Sequence, residues 1–162
     1  MASQFLSVKK WKYDVFLNFL PEDFNENFVT DLYKRLEDIG IKTFKHDDRS
    51  AKLAPISTEI SEAIEESRIA ITIFSGRYVE SRLCLEEITK IIECVGRRRQ
   101  KFFPVFYCMK PSAVSVRFDI ARKYLHFDSE RVQRYKDALS KAFDTVGYTK
   151  VDSYELFEHI RW

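Results

Sequence analysis

Apolar runs and stretches of helical period alternate along this chain. YDVFLNF, Tyr13 to Phe19, is apolar enough for a buried strand. A loop follows at Pro21-Glu22-Asp23. Phe28, Leu32 and Leu36, with Val29 and Tyr33 beside them, then recur at helical spacing, and Gly40 predicts the stop. Ile41 to Phe44 reads as a second strand, and a polar loop runs from Lys45 to Pro55. Ser57 predicts the cap of a helix whose inner face is Ile60, Ala63 and Ile64. IAITIF, Ile69 to Phe74, is a third strand; a helix is predicted from Leu83 to about Val95. FFPVFY, Phe102 to Tyr107, is a fourth strand, with Pro104 placing it near an edge or a bulge. Residues 108–128 show no clean period. Val132, Tyr135, Leu139, Ala142 and Phe143 predict a late helix capped by Ser129. A short strand near Val146 to Tyr148 and a last helix through Tyr154, Phe157 and Ile160 complete the pattern.

Strands that are apolar throughout, alternating with helices, predict a parallel sheet covered on both faces. Ligands of such sheets gather in the crevice outside the carboxyl ends of the strands. The loops that would form it are 20–27, 45–56, 75–82 and 108–116.

Composition narrows the function. The chain has 162 residues, 45% hydrophobic and 32% charged, which suits one ordered domain. A net charge of +2 makes no case for nucleic acid. The basic knot Arg97-Arg98-Arg99-Gln100-Lys101 reads as a solvated loop before a strand. Three cysteines without a C-x-x-C pair and three scattered histidines indicate neither a disulfide framework nor a metal site, and fit a reducing compartment. The opening MASQFLSVKKWK lacks the apolar stretch of a signal peptide, and no run reaches membrane-spanning length. The expectation is a soluble protein of the cytoplasm, with the nucleus as a second location, and no membrane partner.

Several chemistries are excluded by their motifs. Four isolated glycines cannot build G-x-G-x-x-G or a P-loop. Phe74-Ser75-Gly76 lacks the first glycine of a nucleophile elbow, so Ser75 reads as a turn residue or a ligand hydrogen-bonder. A phosphoacceptor receiver would need an aspartate at the end of the third strand, where Phe74-Ser75-Gly76 stands. The adjacent pair Glu86-Glu87 in ESRLCLEEITK is the remaining candidate. On a helical wheel Cys84, Ile88, Ile91, Ile92 and Val95 gather on one buried face. Glu86 falls about 160° from Ile88 and is predicted to lie in water, whereas Glu87 falls about 100° away, at the border of the apolar stripe. Acids in a first helical turn complement the helix dipole, which is an ordinary reason for both. A border carboxylate beside the crevice could also stabilise positive charge developing on a sugar.

YDVFLNF, FVTDLY, GIKTFKHDD, ISTEISEAIEESRIAITIFSGRYVESRLCLEE and PVFYCMKPSAV together resemble a plant Toll/interleukin-1 receptor (TIR) domain. The resemblance implies a flavodoxin-like, three-layer α/β fold on a five-stranded parallel sheet. Residues 1–11 would be an extension and 12–162 the domain. It further implies immune signalling through association with other TIR domains, and in many members cleavage of NAD+ at the nicotinamide–ribose bond. NAD+ would be a substrate, with no cofactor or metal required. The family's W-C-L-x-E pattern falls on Leu83-Cys84-Leu85-Glu86-Glu87, so the resemblance assigns the catalytic role to Glu87. By position, Phe19, Leu20, Pro21, Asp47, Ser75 and Leu83 would line the NAD+ pocket, and Thr30 and Asp31 would lie on a self-association face.

The chain departs from the family's pattern around that pocket. Leu83 replaces the tryptophan, and Leu20-Pro21 replaces an arginine and a glycine. Lys52-Leu53-Ala54-Pro55 has no glycine, and Pro55 should stiffen that loop. Thr30-Asp31 stands where the family carries Ser-His, so two acids would face each other across a symmetric contact. Lys110 replaces the aspartate of D-P-S. Two readings follow: an NAD+-cleaving immune domain using Glu87, and an adaptor or regulator that keeps the association surfaces with weak or no catalysis.

Overall fold

The computed structural model describes residues 11–24, 28–45, 56–145 and the backbone of 148–150. Five strands, β1 (Tyr13–Asn18), β2 (Thr43–Lys45), β3 (Ser67–Phe74), β4 (Lys101–Tyr107) and β5 (Tyr148–Lys150), pair in parallel in the order β2-β1-β3-β4-β5. Five helices accompany them among the described residues: α1 (Phe28–Asp38), α2 (Thr58–Glu65), α3 (Arg82–Arg98), α4 (Pro111–Tyr124) and α5 (Ser129–Asp144).

Side-chain alternation sorts each strand between two faces. Val15 and Leu17 of β1 join Ile69, Ile71 and Ile73 of β3 beneath α1, against Leu32 and Leu36. Phe16 and Ala70 point the other way and meet Ile60 and Ile64 of α2 and Ile91 and Cys94 of α3. A third cluster joins Phe74 and Phe106 at the strand ends to Leu85 and Ile88 of α3, Phe118 of α4 and Leu139 of α5.

Local chemistry sets most of the boundaries. Gly40, at φ +83°, ends α1: its N–H donates to Glu37 C=O at 3.0 Å and Ile41 N–H donates to Leu36 C=O at 2.9 Å. That is a Schellman turn, and it draws Ile41 out of the second strand, which begins at Thr43 rather than Ile41. Ser57 caps α2 as expected, accepting from Ile60 N–H at 3.2 Å. The cap of α5 is Asp128, accepting from Arg131 N–H at 2.8 Å; Ser129, the predicted cap, lies inside the helix. Pro104 stands one residue before the stretch of β4 that the short edge strand β5 covers, which begins at Val105.

The unassigned stretch contains α4. It buries Val114, Phe118 and Ala121 yet exposes Val116, Ile120 and Tyr124, so its apolar residues fall on two faces and blur the period. The basic knot is also less uniform than expected. Arg97 and Arg99 are exposed, but Gln100 is buried and donates to Ile64 and Ser67 C=O at 2.6 and 2.7 Å. The predicted last helix at Tyr154, Phe157 and Ile160 lies outside the described residues.

The strand order reverses between β1 and β3. Their carboxyl ends therefore flank the switch-point crevice at which this architecture binds ligands.

Candidate functional site

The chain leaving β1 forms one lip of the crevice. Phe19 turns into the core under α1, and Leu20 turns into the cluster on the opposite face, against Phe74 and Tyr78. Both are buried, at 2% and 4% exposure, and Pro21 opens a single helical turn, Pro21–Asp23. Asp23 then reaches across to the lip that follows β3. Its Oδ2 accepts from Ser75 Oγ at 2.5 Å and from the N–H of Arg77 at 2.8 Å; its Oδ1 accepts from Arg77 Nε at 2.9 Å. Arg77 Nη2 also donates to Glu22 C=O at 3.1 Å. One carboxylate thus ties the two lips together, and the Ser75 hydroxyl is engaged by the protein.

The start of α3 is fixed from several directions. Ser81 caps it, accepting from Cys84 N–H at 3.2 Å. The Cys84 thiol donates to Phe19 C=O at 3.7 Å, and the Tyr78 hydroxyl donates to Cys84 C=O at 3.0 Å. Asn18, the last residue of β1, donates through Nδ2 to the Tyr78 hydroxyl at 2.6 Å and to Thr72 Oγ1 at 3.0 Å. Asn18, Thr72 and Tyr78 are wholly buried. Sequence reasoning missed this polar group. Its one signal was an amide, Asn18, at the end of an otherwise apolar strand.

The two glutamates have separate surroundings. Glu87, at the border of the apolar stripe, is wholly buried, at 0% exposure. It shares the side of α3 that carries Ile91 and Cys94, which pack on the sheet and α2. The ion pair between Lys90 Nζ and Glu65 Oε1, at 3.3 Å, holds the end of α2 along that side. Glu86 corrects the expectation of a solvated charge. Its side chain is only 12% exposed, and its carboxylate accepts a hydrogen bond from the Tyr135 hydroxyl and lies 3.7 Å from Arg134 Nη2. The reason is α5, which covers the side of α3 that a one-face wheel assigns to water. Burial, then the bond to Glu86, pushes the Tyr135 phenol up to about 12, against a smaller opposing effect of Arg82.

The other predicted residues divide. Leu83 is buried, at 6% exposure, in the first turn of α3, and Ser75 is buried within the crevice. Thr30 and Asp31 are exposed on α1, and Lys110 is exposed just before α4. Asp47 lies outside the described residues. Among the described residues no group of three or more His, Cys, Asp or Glu could hold a metal ion. No helix among them is long and apolar enough to cross a membrane.

Comparison with known proteins gives a consistent result. A family model for the TIR domain matches residues 12–161. The chain is 41% identical over 148 residues to the TMV resistance protein N of Nicotiana glutinosa, covering 87% of this chain and 13% of that protein. It is 37% identical over 144 residues to the disease resistance protein RPV1 of Vitis rotundifolia, covering 86% of this chain and 10% of the relative. It therefore spans only a small part of the length of these relatives. Among solved structures, the TIR domains of the activated Roq1 resistosome, which directly recognises the pathogen effector XopQ, match with a TM-score of 0.78 at 34% identity, over 91% of this chain and 96% of that one.

Proposed function

The chain belongs to the TIR domain family, and on that premise we propose that it is a plant immune-signalling domain which associates with other TIR domains and cleaves NAD+ through Glu87. The observation that carries the catalytic part is the burial of Glu87 at the carboxyl end of the sheet, in the helix that borders the switch-point crevice. Burying an ionisable group is costly, and packing alone would be better served by a leucine there. A carboxylate held in a site of low dielectric is suited to stabilising a ribosyl oxocarbenium as nicotinamide leaves. The association part rests on the likeness to the resistosome TIR domains.

A second reading, association without appreciable turnover, is favoured by the state of the crevice. Asp23 bridges its lips, Ser75 is engaged, and Phe19, Leu20 and Leu83 are packed into the interior. Substrate must part these lips before it reaches Glu87. Assembly of several copies would supply the free energy for that opening, so turnover should depend on protein concentration.

The deciding measurement is nicotinamide release by purified protein at high concentration or on a crowding surface. Release that rises more steeply than in proportion to protein and disappears in Glu87→Ala supports the enzyme. Absence of release in every assembly condition leaves the second reading.

A further inference from the structure

The face of the sheet beneath α3 carries a polar layer that the proposed role of Glu87 does not yet use. Phe16 and Ala70 share a cluster with Ile91 and Cys94. Along the two strands, the next residues on the same face are Asn18 and Thr72, which are partners in register. They lie about 6.6 Å further towards the carboxyl ends. The helix connecting parallel β3 and β4 runs back against the strands, so one turn from Ile91 towards its start, about 5.4 Å, lies Glu87. Asn18, Thr72 and Glu87 therefore form the next layer over that cluster, and all three are at 0% exposure.

Hydrogen bonding sets the orientation of the Asn18 amide. Tyr78 has one hydroxyl proton, and it goes to Cys84 C=O. Towards Asn18 it can only accept, so the group facing it must be the NH2. The second N–H goes to Thr72 Oγ1. The amide oxygen is turned away from both, and it is buried with no hydrogen-bond partner among the described residues. A buried acceptor is seldom left without a donor unless function requires it.

We propose that Asn18 Oδ1 and the Glu87 carboxylate together seat the water that hydrolyses NAD+ once the lips have parted. The proposal rests on the reading of Glu87 as the carboxylate of NAD+ cleavage. A water donating its two protons to these two acceptors keeps a lone pair for the ribosyl carbon. The C–N bond to nicotinamide breaks, and its electron pair leaves with the nicotinamide nitrogen. The water oxygen bonds to the ribosyl carbon. One proton passes to Glu87 and on to solvent; the other stays on the new hydroxyl of ADP-ribose. Asn18 is thus a positioning residue for attack, not for departure of nicotinamide.

That division of labour is testable by product partition. The full chain is assayed at high concentration with NAD+ and a free pyridine base, which competes with water for the ribosyl carbon. In Asn18→Leu the ratio of ADP-ribose to base-exchanged dinucleotide should fall about tenfold, the scale of one lost hydrogen bond in the attack step. Asn18→Ser, which withdraws the acceptor by one bond, should fall between the two and is read in the same way if the leucine variant does not fold. A merely structural role would lower both products together; an unchanged ratio in a folded variant overturns the proposal. Failure of the underlying reading looks different: the unmodified chain then releases no nicotinamide at all, and the water seat falls with it.

Discussion

Tyr135 donates a hydrogen bond to Glu86, and Arg134 stands nearby, so an alanine at Glu86 removes more than a charge. It leaves the Tyr135 hydroxyl proton without its acceptor, although Arg82 still donates to the oxygen, at a cost of about 1 kcal/mol. Glu86→Ala should therefore lower the thermal midpoint. Glu86→Gln, which keeps the shape and an acceptor, is the proper control when Glu87 is removed: nicotinamide release should persist in it. The phenol itself makes a pH signature. Its folded value is raised to about 12 from an ordinary 10, so the folded state holds the proton more tightly. Its contribution is fully present below about pH 10 and is lost as pH rises towards 12. Subtracting the unfolding free energies of Tyr135→Phe from those of the unmodified chain across that range should give a difference that shrinks with rising pH. A constant difference would show that Tyr135 does not titrate in this way.

Helix α3 depends on how its first turn is capped and on which neighbours cover it. Ser81 satisfies one of its first N–H groups, and Ser81→Ala should cost about 1 kcal/mol and speed amide exchange at Cys84. The lips present a separate element. Asp23→Asn keeps the size of the side chain but removes the charge that Ser75 and Arg77 share. The amide of Arg77 should then exchange faster, while exchange in the central strands β1 and β3 stays the same. Equal protection of Arg77 in both proteins would count against a tether. The same elements show where pattern reading works. α1 and α2 each have one apolar side and one solvent side, and both were legible. α4 divides its apolar residues between core and surface, so its period was lost.

Across the whole molecule, association is decided by exposed surface rather than by the core. Thr30 and Asp31 lie outward on α1, which suits a surface that a second copy could meet. If two Asp31 carboxylates face each other in a symmetric contact, replacing each with histidine removes the repulsion. Asp31→His should then shift sedimentation towards larger species at the same concentration, most strongly at low salt, where exposed charges act furthest. No shift at any salt would place the association surface elsewhere. The groove of about 330 Å³ between α4 and α5, floored by Phe118, Leu139 and Phe143, contains none of the crevice residues and is not needed for this expectation.

The order of strands and helices, the Gly40 stop and the Ser57 cap were readable along the chain, because each rests on neighbours within a turn or two. The place of Glu87 relative to Ile91 was readable too, because it is a property of one helix. The Asp23 tether, the burial of Glu86 under α5 and the layer of Asn18, Thr72 and Tyr78 were not readable. Asp23 and Ser75 are 52 positions apart, Glu86 and Tyr135 are 49, and Asn18 and Tyr78 are 60. Only the parallel crossovers bring such pairs together. A wheel knows one buried face, whereas α3 is covered by the sheet, by α2 and by α5. The chain could therefore set the angle of each carboxylate around its helix, but the packing of three elements around that helix decided that both are shielded from water and which polar groups share the surroundings of each.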